Sequence, residues 1–218
     1  MNIRLQLPGT EMLWRSEGPP LRVQIARERR VLARIAEGGQ LPDVLAELLG
    51  DIELSAKSRM RTSILVLSDD GQQLQHLAAP SLPETYRDAI DGTRIGEGVG
   101  SCGTAMYRGT PVYVSDIAAD PLWEGYREFA LPHDLRACWS TPIKGMDGVT
   151  LGSFAIYYDA PRSPMPRDLE AISGITLTVA LAIERHRAAL ELRRLRDELA
   201  AMKAGPALSD RQPPGHPA

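Results

Sequence analysis

Two turn signals govern what this chain can fold into. Asp69-Asp70-Gly71 and Met146-Asp147-Gly148 each stand between runs of apolar residues. TSILVLSDDGQQLQHLAA (62–79) therefore reads as one hairpin, and RACWSTPI (136–143) with VTLGSFAIYY (149–158) as another. Hairpins impose antiparallel pairing. TPVYVSDI (110–117) supplies a further strand. The expectation is a central antiparallel sheet of about five to six strands.

Helical periodicity brackets that sheet. A helix opens near Leu21, after Pro19-Pro20, with Leu21, Ile25, Leu32 and Ile35 on one stripe, and ends at Gly38-Gly39. A second starts at Leu41-Pro42 and carries Leu45, Leu48, Leu49 and Ile52 on its apolar face. Ser81-Leu82-Pro83-Glu84 matches a capping box, which predicts a short helix from Leu82 to Ile90. One or two helical turns follow in GTAMYRG (103–109), and DPLWEGYREFAL (120–131) reads as a loop and a short helix. The last helix follows the Pro-rich APRSPMPRD (160–168). Its first stripe is Leu169, Ile172, Thr176, Val179, Ile183, His186 and Leu190. The stripe then changes phase to Leu192, Leu195, Leu199 and Met202, as a coiled coil does at a stutter.

The fold class is therefore α+β. Terminal helices cover one sheet face, and loops with short helices form a pocket on the other. The chain divides into an irregular N-terminal arm (1–20), the main domain (21–187), a coiled-coil-like helical extension (188–204) and a disordered tail (205–218). Burying the extension's stripe predicts a homodimer through the first and last helices.

Charge and cysteine content exclude several classes. A net charge of −3 argues against a nucleic-acid-binding domain. The basic runs RERR (27–30) and RHR…LRRLR (185–196) have acids interspersed and read as solvated helix faces. Two cysteines, Cys102 and Cys138, are too few for a disulfide-stapled secreted protein. The charged and Pro/Gly-broken N-terminus does not read as a signal peptide, and no apolar run suits a membrane span. The expectation is a cytoplasmic protein with no membrane or nucleic-acid partner. His76, His133, His186 and His216 lack metal-ligand spacing, and GEGVGS (96–101) lacks the GK[ST] ending of a phosphate loop. No metal is expected, and no cofactor is named.

The most reactive-looking stretch is GVGSCGTA (98–105). Gly98, Gly100 and Gly103 permit close backbone approach. Cys102 would sit near the first turn of a short helix, where thiols become thiolates more easily. Three readings stay open for it: ligand contact, redox thiol, or a small residue packed under the loop. Strand alternation places Cys138 and Ser140 on one sheet face, with Ala137, Trp139 and Thr141 on the other. Trp123 and Tyr126 line a pocket mouth or plug the core. Asp116 and Asp120 face a polar ligand or cap turns. The candidate ligand-binding set is Ser101, Cys102, Gly103, Thr104, Asp116, Trp123, Tyr126, Cys138 and Ser140. No catalytic residue is assigned.

These words in this order resemble a GAF domain. The resemblance runs from about Val31 to Arg187 and rests on the combination of GSCGTA, DPLW and RACWS, with LGSFAIYY followed by PRSP. Similar modules occur in bacterial signalling proteins. The resemblance implies a stand-alone sensory or regulatory module that binds a small molecule, not identified by the sequence, or senses redox state. It would signal through its terminal helices to an effector protein. The N-K-F-D-E pattern of cyclic-nucleotide-binding members is missing. One enzymatic branch, the free methionine sulfoxide reductases, carries a GVCGTA-like run similar to GSCGTA. That branch keeps a catalytic cysteine in the loop before the fourth strand, whereas DPLWEGYREFALPHDL (120–135) has none. A thiol-dependent enzyme of that kind is thus one alternative. A degenerate GAF dimerisation scaffold is the other.

Overall fold

A computed structural model of the chain describes residues 21–56 and 58–204. The expected N-terminal arm and C-terminal tail lie outside the described residues. The elements run α1 (Leu21–Ala36), α2 (Leu41–Ser55), β1 (Met60–Leu67), β2 (Leu74–Ala78), α3 (Glu84–Ile90), α4 (Gly100–Arg108) and β3 (Val112–Val114). A 3-10 turn at Pro121–Trp123 and α5 (Arg127–Ala130) then lead to β4 (Ala137–Lys144), β5 (Thr150–Tyr158) and α6 (Pro166–Ala204).

The sheet has five strands in the order β2-β1-β5-β4-β3. Every neighbouring pair is antiparallel. Both Asp-Gly turns join adjacent strands through left-handed glycines, Gly71 at φ 72° and Gly148 at φ 81°. The sheet is all antiparallel because its β4–β5 and β1–β2 hairpins are laid side by side through β1 and β5.

Two apolar layers flank the sheet. Residues of α1, α2 and α6 pack on Ile64, Trp139, Phe154 and Ile156. Leu45, Leu48, Leu49 and Ile52 of α2 are all buried there, at about 1.5–3 kcal/mol for each such side chain. The opposite face is covered by α3, α4 and the loop after β3, through Tyr86, Cys102, Met106, Ile117 and Trp123 against Leu65, Cys138 and Tyr157.

Two local expectations are corrected. In α1, Ile35 is buried as expected and the Leu21 side chain lies outside the described ones, but Val31 is buried and Ile25 exposed, because α1 leans on α2 and α6 rather than on the sheet. The basic run of α1 pairs with acids of α2, Arg30 with Asp51 at 2.8 Å and Arg34 with Glu47 at 3.0 Å. Ser81 caps no helix: its hydroxyl donates to Glu53, which also accepts from the Thr62 amide at 2.6 Å. Helix α3 begins at Glu84, with Pro83 before it and no side-chain cap. Finally, α6 runs unbroken for 39 residues. Its first part buries Ile172, Val179 and Ile183, while Leu190, Leu192, Leu195, Leu199 and Met202 are exposed. The phase change in the sequence marks where the helix leaves the sheet.

Candidate functional site

Helix α4 is laid across the strands by its glycines. Gly98 at φ 77° and Gly100 at φ 53° occupy the left-handed region, which turns the chain inward at the helix start. Gly103 has an ordinary helical backbone, but it has no room for a side chain. A Cβ there would stand 2.5 Å from Val99 Cγ1 and 2.7 Å from Val99 Cβ. Gly109, left-handed at φ 65°, terminates the helix.

This placement docks the first turn of α4 onto β4. The Ser101 hydroxyl donates to the Cys138 carbonyl at 3.0 Å and accepts from the Trp123 indole N–H at 3.0 Å. Trp123 is thereby locked over α4, buried, with its ring 3.5 Å from where a Cβ on Gly100 would sit. Cys102 lies beside the Tyr157 hydroxyl at 3.6 Å. Cys138 and Tyr157 are directly paired across β4 and β5. Tyr157 in turn meets Tyr86 edge to face at 5.9 Å. Ser140 and Ser153 hydroxyls bond at 2.5 Å beneath the helix. The hydroxyls of Thr104 and Ser63 are buried without a partner.

The two thiols are electrostatically unequal. Cys138 interacts with Cys102 and holds its thiol down, to about 7, against the opposing effect of burial; Tyr157, Ser140 and Ser153 help. The position of Cys102 in the first turn of α4 acts in the same direction. Burial, reinforced by Cys102, pushes the Cys138 thiol well above its ordinary value. Burial and the Cys102 charge push Tyr157 up as well. Of the two, Cys102 is the thiol that ionises more readily and Cys138 the one that holds its proton.

A shallow cleft of about 300 Å³, counting its open mouth, reaches this cluster between α3, α4 and the Trp123 loop. Tyr86, Ser101, Cys102, Trp123, Tyr126 and Tyr157 are among the residues lining it. Its enclosed part has room for a water-sized molecule. Of the residues singled out from the sequence, Ser101, Cys102, Trp123 and Tyr126 meet in the cleft. Gly103, Thr104, Cys138 and Ser140 lie buried behind it. Asp116 stands apart, accepting from the Ala118 amide at 3.1 Å and pairing with Arg136 at 3.3 Å. Asp120 caps the Pro121–Trp123 turn through the Leu122 amide at 2.9 Å. Tyr157, Tyr86 and Ser153 were missed. Hairpin register alone places Tyr157 opposite Cys138, so that signal was present; nothing in the sequence around Tyr86 marks it.

No helix among the described residues is long and apolar enough to cross a membrane. Comparison with known proteins gives a consistent family. The profile described as "GAF domain" matches residues 40–184. A "Methyl sulfide methyltransferase-associated sensor" of Methanosarcina acetivorans is 36% identical over 165 residues, which is 76% of this chain and 16% of that protein. The chain thus spans about one sixth of that relative's length. Among solved structures, the GAF domain of an Acinetobacter phosphoenolpyruvate-protein phosphotransferase aligns with TM-score 0.58 at 14% identity, covering 78% of this chain and 98% of that one. Free methionine-R-sulfoxide reductase of Neisseria meningitidis aligns with TM-score 0.59 at 18% identity, covering 80% and 96%. The two structural likenesses speak for the fold alone, while the family profile spans α2, the sheet, α4 and the first half of α6. On that match the chain belongs to the GAF domain family.

Proposed function

We propose that this chain is a sensory and regulatory module whose cleft at Ser101, Cys102, Trp123 and Tyr126 takes a stimulus, and whose α6 reports it. The observation that carries this reading is the shared hairpin. Cys138, Ser140 and Tyr157 point to the cleft side, while Trp139, Ile156 and Tyr158, their immediate neighbours, pack with the helical layer. Any shift of α4 against β4 is therefore felt on the face that holds α6. The sensor role in the name of the archaeal relative agrees with this. The stimulus is a small molecule or a change in thiol state, with Gly103, Thr104, Cys138 and Ser140 forming the wall behind the cleft.

Output passes through a homodimer to an effector protein. Leu192, Leu195 and Leu199 are 69%, 49% and 51% exposed, an apolar stripe that a single copy leaves in water. The same stripe on a second copy is its natural complement. The scaffold reading has one observation in its favour, the small enclosed volume of the cleft.

Native mass spectrometry of protein purified from its own host identifies any occupant. Hydrogen exchange of the occupied and stripped protein then tests the coupling. The sensory reading expects altered protection in both 98–108 and 186–204. Occupancy that alters the first segment and leaves the second unchanged would sink it.

A further inference from the structure

We propose that Cys102 and Cys138 form a hydroperoxide-reactive thiol pair, in which Cys102 takes the oxidant and Cys138 closes a disulfide. This rests on the sensory reading and names its stimulus. Three structural features converge on it. The cleft that ends at Cys102 is water-sized in its enclosed part, which suits hydrogen peroxide and excludes a bulky ligand. Cys102 lines the cleft and is 7% exposed, whereas Cys138 is 0% exposed and does not line it, so an entering oxidant meets the two in a fixed order. The two cysteines are neighbours: the Ser101 hydroxyl, next to Cys102, donates to the Cys138 carbonyl at 3.0 Å, and the Cys102 sulfur lies 3.6 Å from the hydroxyl of Tyr157, the cross-strand partner of Cys138. Disulfide formation needs such proximity, with Cα atoms within about 7 Å.

The chemistry balances with one hydroperoxide. The Cys102 thiolate attacks one peroxide oxygen, an S–O bond forms and the O–O bond breaks. The departing hydroxide takes up a proton from the cleft and leaves as water, with sulfur oxidised by two electrons and the peroxide reduced by two. The Cys138 sulfur then attacks the Cys102 sulfenic acid. An S–S bond forms, the S–O bond breaks, and the released hydroxide carries away the Cys138 proton as a second water. The high proton affinity of Cys138 keeps it a thiol until that moment. A dithiol reductant reverses the change by exchange. Tyr157, 3.6 Å from the Cys102 sulfur, is positioned to donate a hydrogen bond to the thiolate.

The test treats the full chain with stoichiometric hydrogen peroxide and follows thiols by alkylation and intact mass. The expected result is loss of both free thiols, a mass lower by two hydrogens, a Cys102–Cys138 linkage in the peptide map, and recovery with dithiothreitol. Cys138→Ser should stop at a sulfenic acid on Cys102 that dimedone traps, and Cys102→Ser should leave Cys138 unoxidised. The wild-type chain alone suffices if a variant fails to fold, since peptide mapping orders the two sites at early times. Retention of both thiols overturns the proposal. So does oxidation at Cys138 ahead of Cys102, or a linkage only between copies. A disulfide that leaves exchange at 186–204 unchanged refutes the sensory reading and spares the thiol pair. An occupant that changes that exchange in a peroxide-inert protein does the reverse.

Discussion

Gly103→Ala is a sharp test of how α4 is seated. The added Cβ would lie 2.5 Å from Val99 Cγ1 and 2.7 Å from Val99 Cβ. Rotating Val99 relieves the first contact but not the second, because its Cβ is fixed to the backbone. Val99 is also the residue from which α4 starts, and its carbonyl accepts the Gly103 amide at 3.1 Å. Relief therefore requires the helix start to move. Overpacking of this kind costs about 1–3 kcal/mol. Replacing glycine by alanine inside a helix returns about 1 kcal/mol, so the net loss is about 0–2 kcal/mol. Gly50→Ala is the matched control: it lies inside α2 with nothing within 4 Å of its would-be Cβ, so the helix gain stands alone. In urea unfolding, with a slope of about 2 kcal/mol/M, Gly103→Ala should lower the midpoint by up to about 1 M, whereas Gly50→Ala should raise it by about 0.5 M. Gly103→Val should be worse still, since a branched side chain adds to the same clash. A Gly103→Ala midpoint raised as far as that of Gly50→Ala refutes the close-approach argument.

The Cys102 thiolate, followed by its ultraviolet absorbance against Cys102→Ser, should titrate with a midpoint near pH 7, its signal falling about fivefold from pH 7 to 6 and rising less than twofold from 7 to 8, whereas that of an ordinary thiol keeps climbing. Linkage gives the stability profile its sign. The lowered Cys102 pKa contributes stability that is full above the ordinary thiol value of 9.0 and is lost as pH falls through about 7. The raised Cys138 and Tyr157 act oppositely, withdrawing stability once pH exceeds their ordinary values. Chemical denaturation at intervals from pH 6 to 10 should therefore show a rise and then a fall, and a flat profile would contradict the assignment. Leu195→Asp with Leu199→Asp, both on the exposed stripe of α6, should convert a dimer to a monomer in light scattering; unchanged mass would show that the stripe is not the interface. Free methionine sulfoxide should not be turned over, because residues 120–135 contain no cysteine; Cys102-dependent consumption would restore the enzymatic reading.

The sequence carried the frame of the fold clearly and the site only in part, for physical reasons. Asp-Gly turns and strand alternation are local, so both hairpins and the face shared by Cys138 and Ser140 were readable from neighbouring residues. The α2 stripe was equally plain because one face alone is buried. In the α1 stripe Ile35 is buried as read, but contact with two other helices buries Val31 and leaves Ile25 exposed. Ser81 had a valid capping pattern, but Glu53, 28 residues earlier, captured its hydroxyl. Tertiary partners of that kind leave no local trace. The same holds for the Trp123 lock on Ser101, 22 residues away, and for the packing of Tyr86 on Tyr157.

The route from cleft to helix follows from alternation along β4. Cys138 faces α4, and the next residue, Trp139, faces the helical layer. The Trp139 indole donates to the Arg162 carbonyl at 2.9 Å, and its ring lies 4.7 Å from Tyr158. The Arg162 guanidinium stands 4.4 Å from the Tyr158 ring and 5.4 Å from that of Trp139, and pairs with Asp168 at 3.4 Å in the first turn of α6. At the other end of the hairpin, the Met146 amide donates to Glu184 of α6 at 2.8 Å. Two polar clamps thus tie one hairpin to one helix, on either side of the apolar contacts of Val179 and Ile183. A displacement of Cys138 toward Cys102 cannot be absorbed by side-chain rotation alone, because both cysteines are short and close-packed. In the sensory reading proposed above it tilts β4, and the clamps convert that tilt into a reorientation of α6. The exposed stripe beyond Leu190 extends the helix as a lever, so a small change at the sheet becomes a larger one where a second copy would meet it.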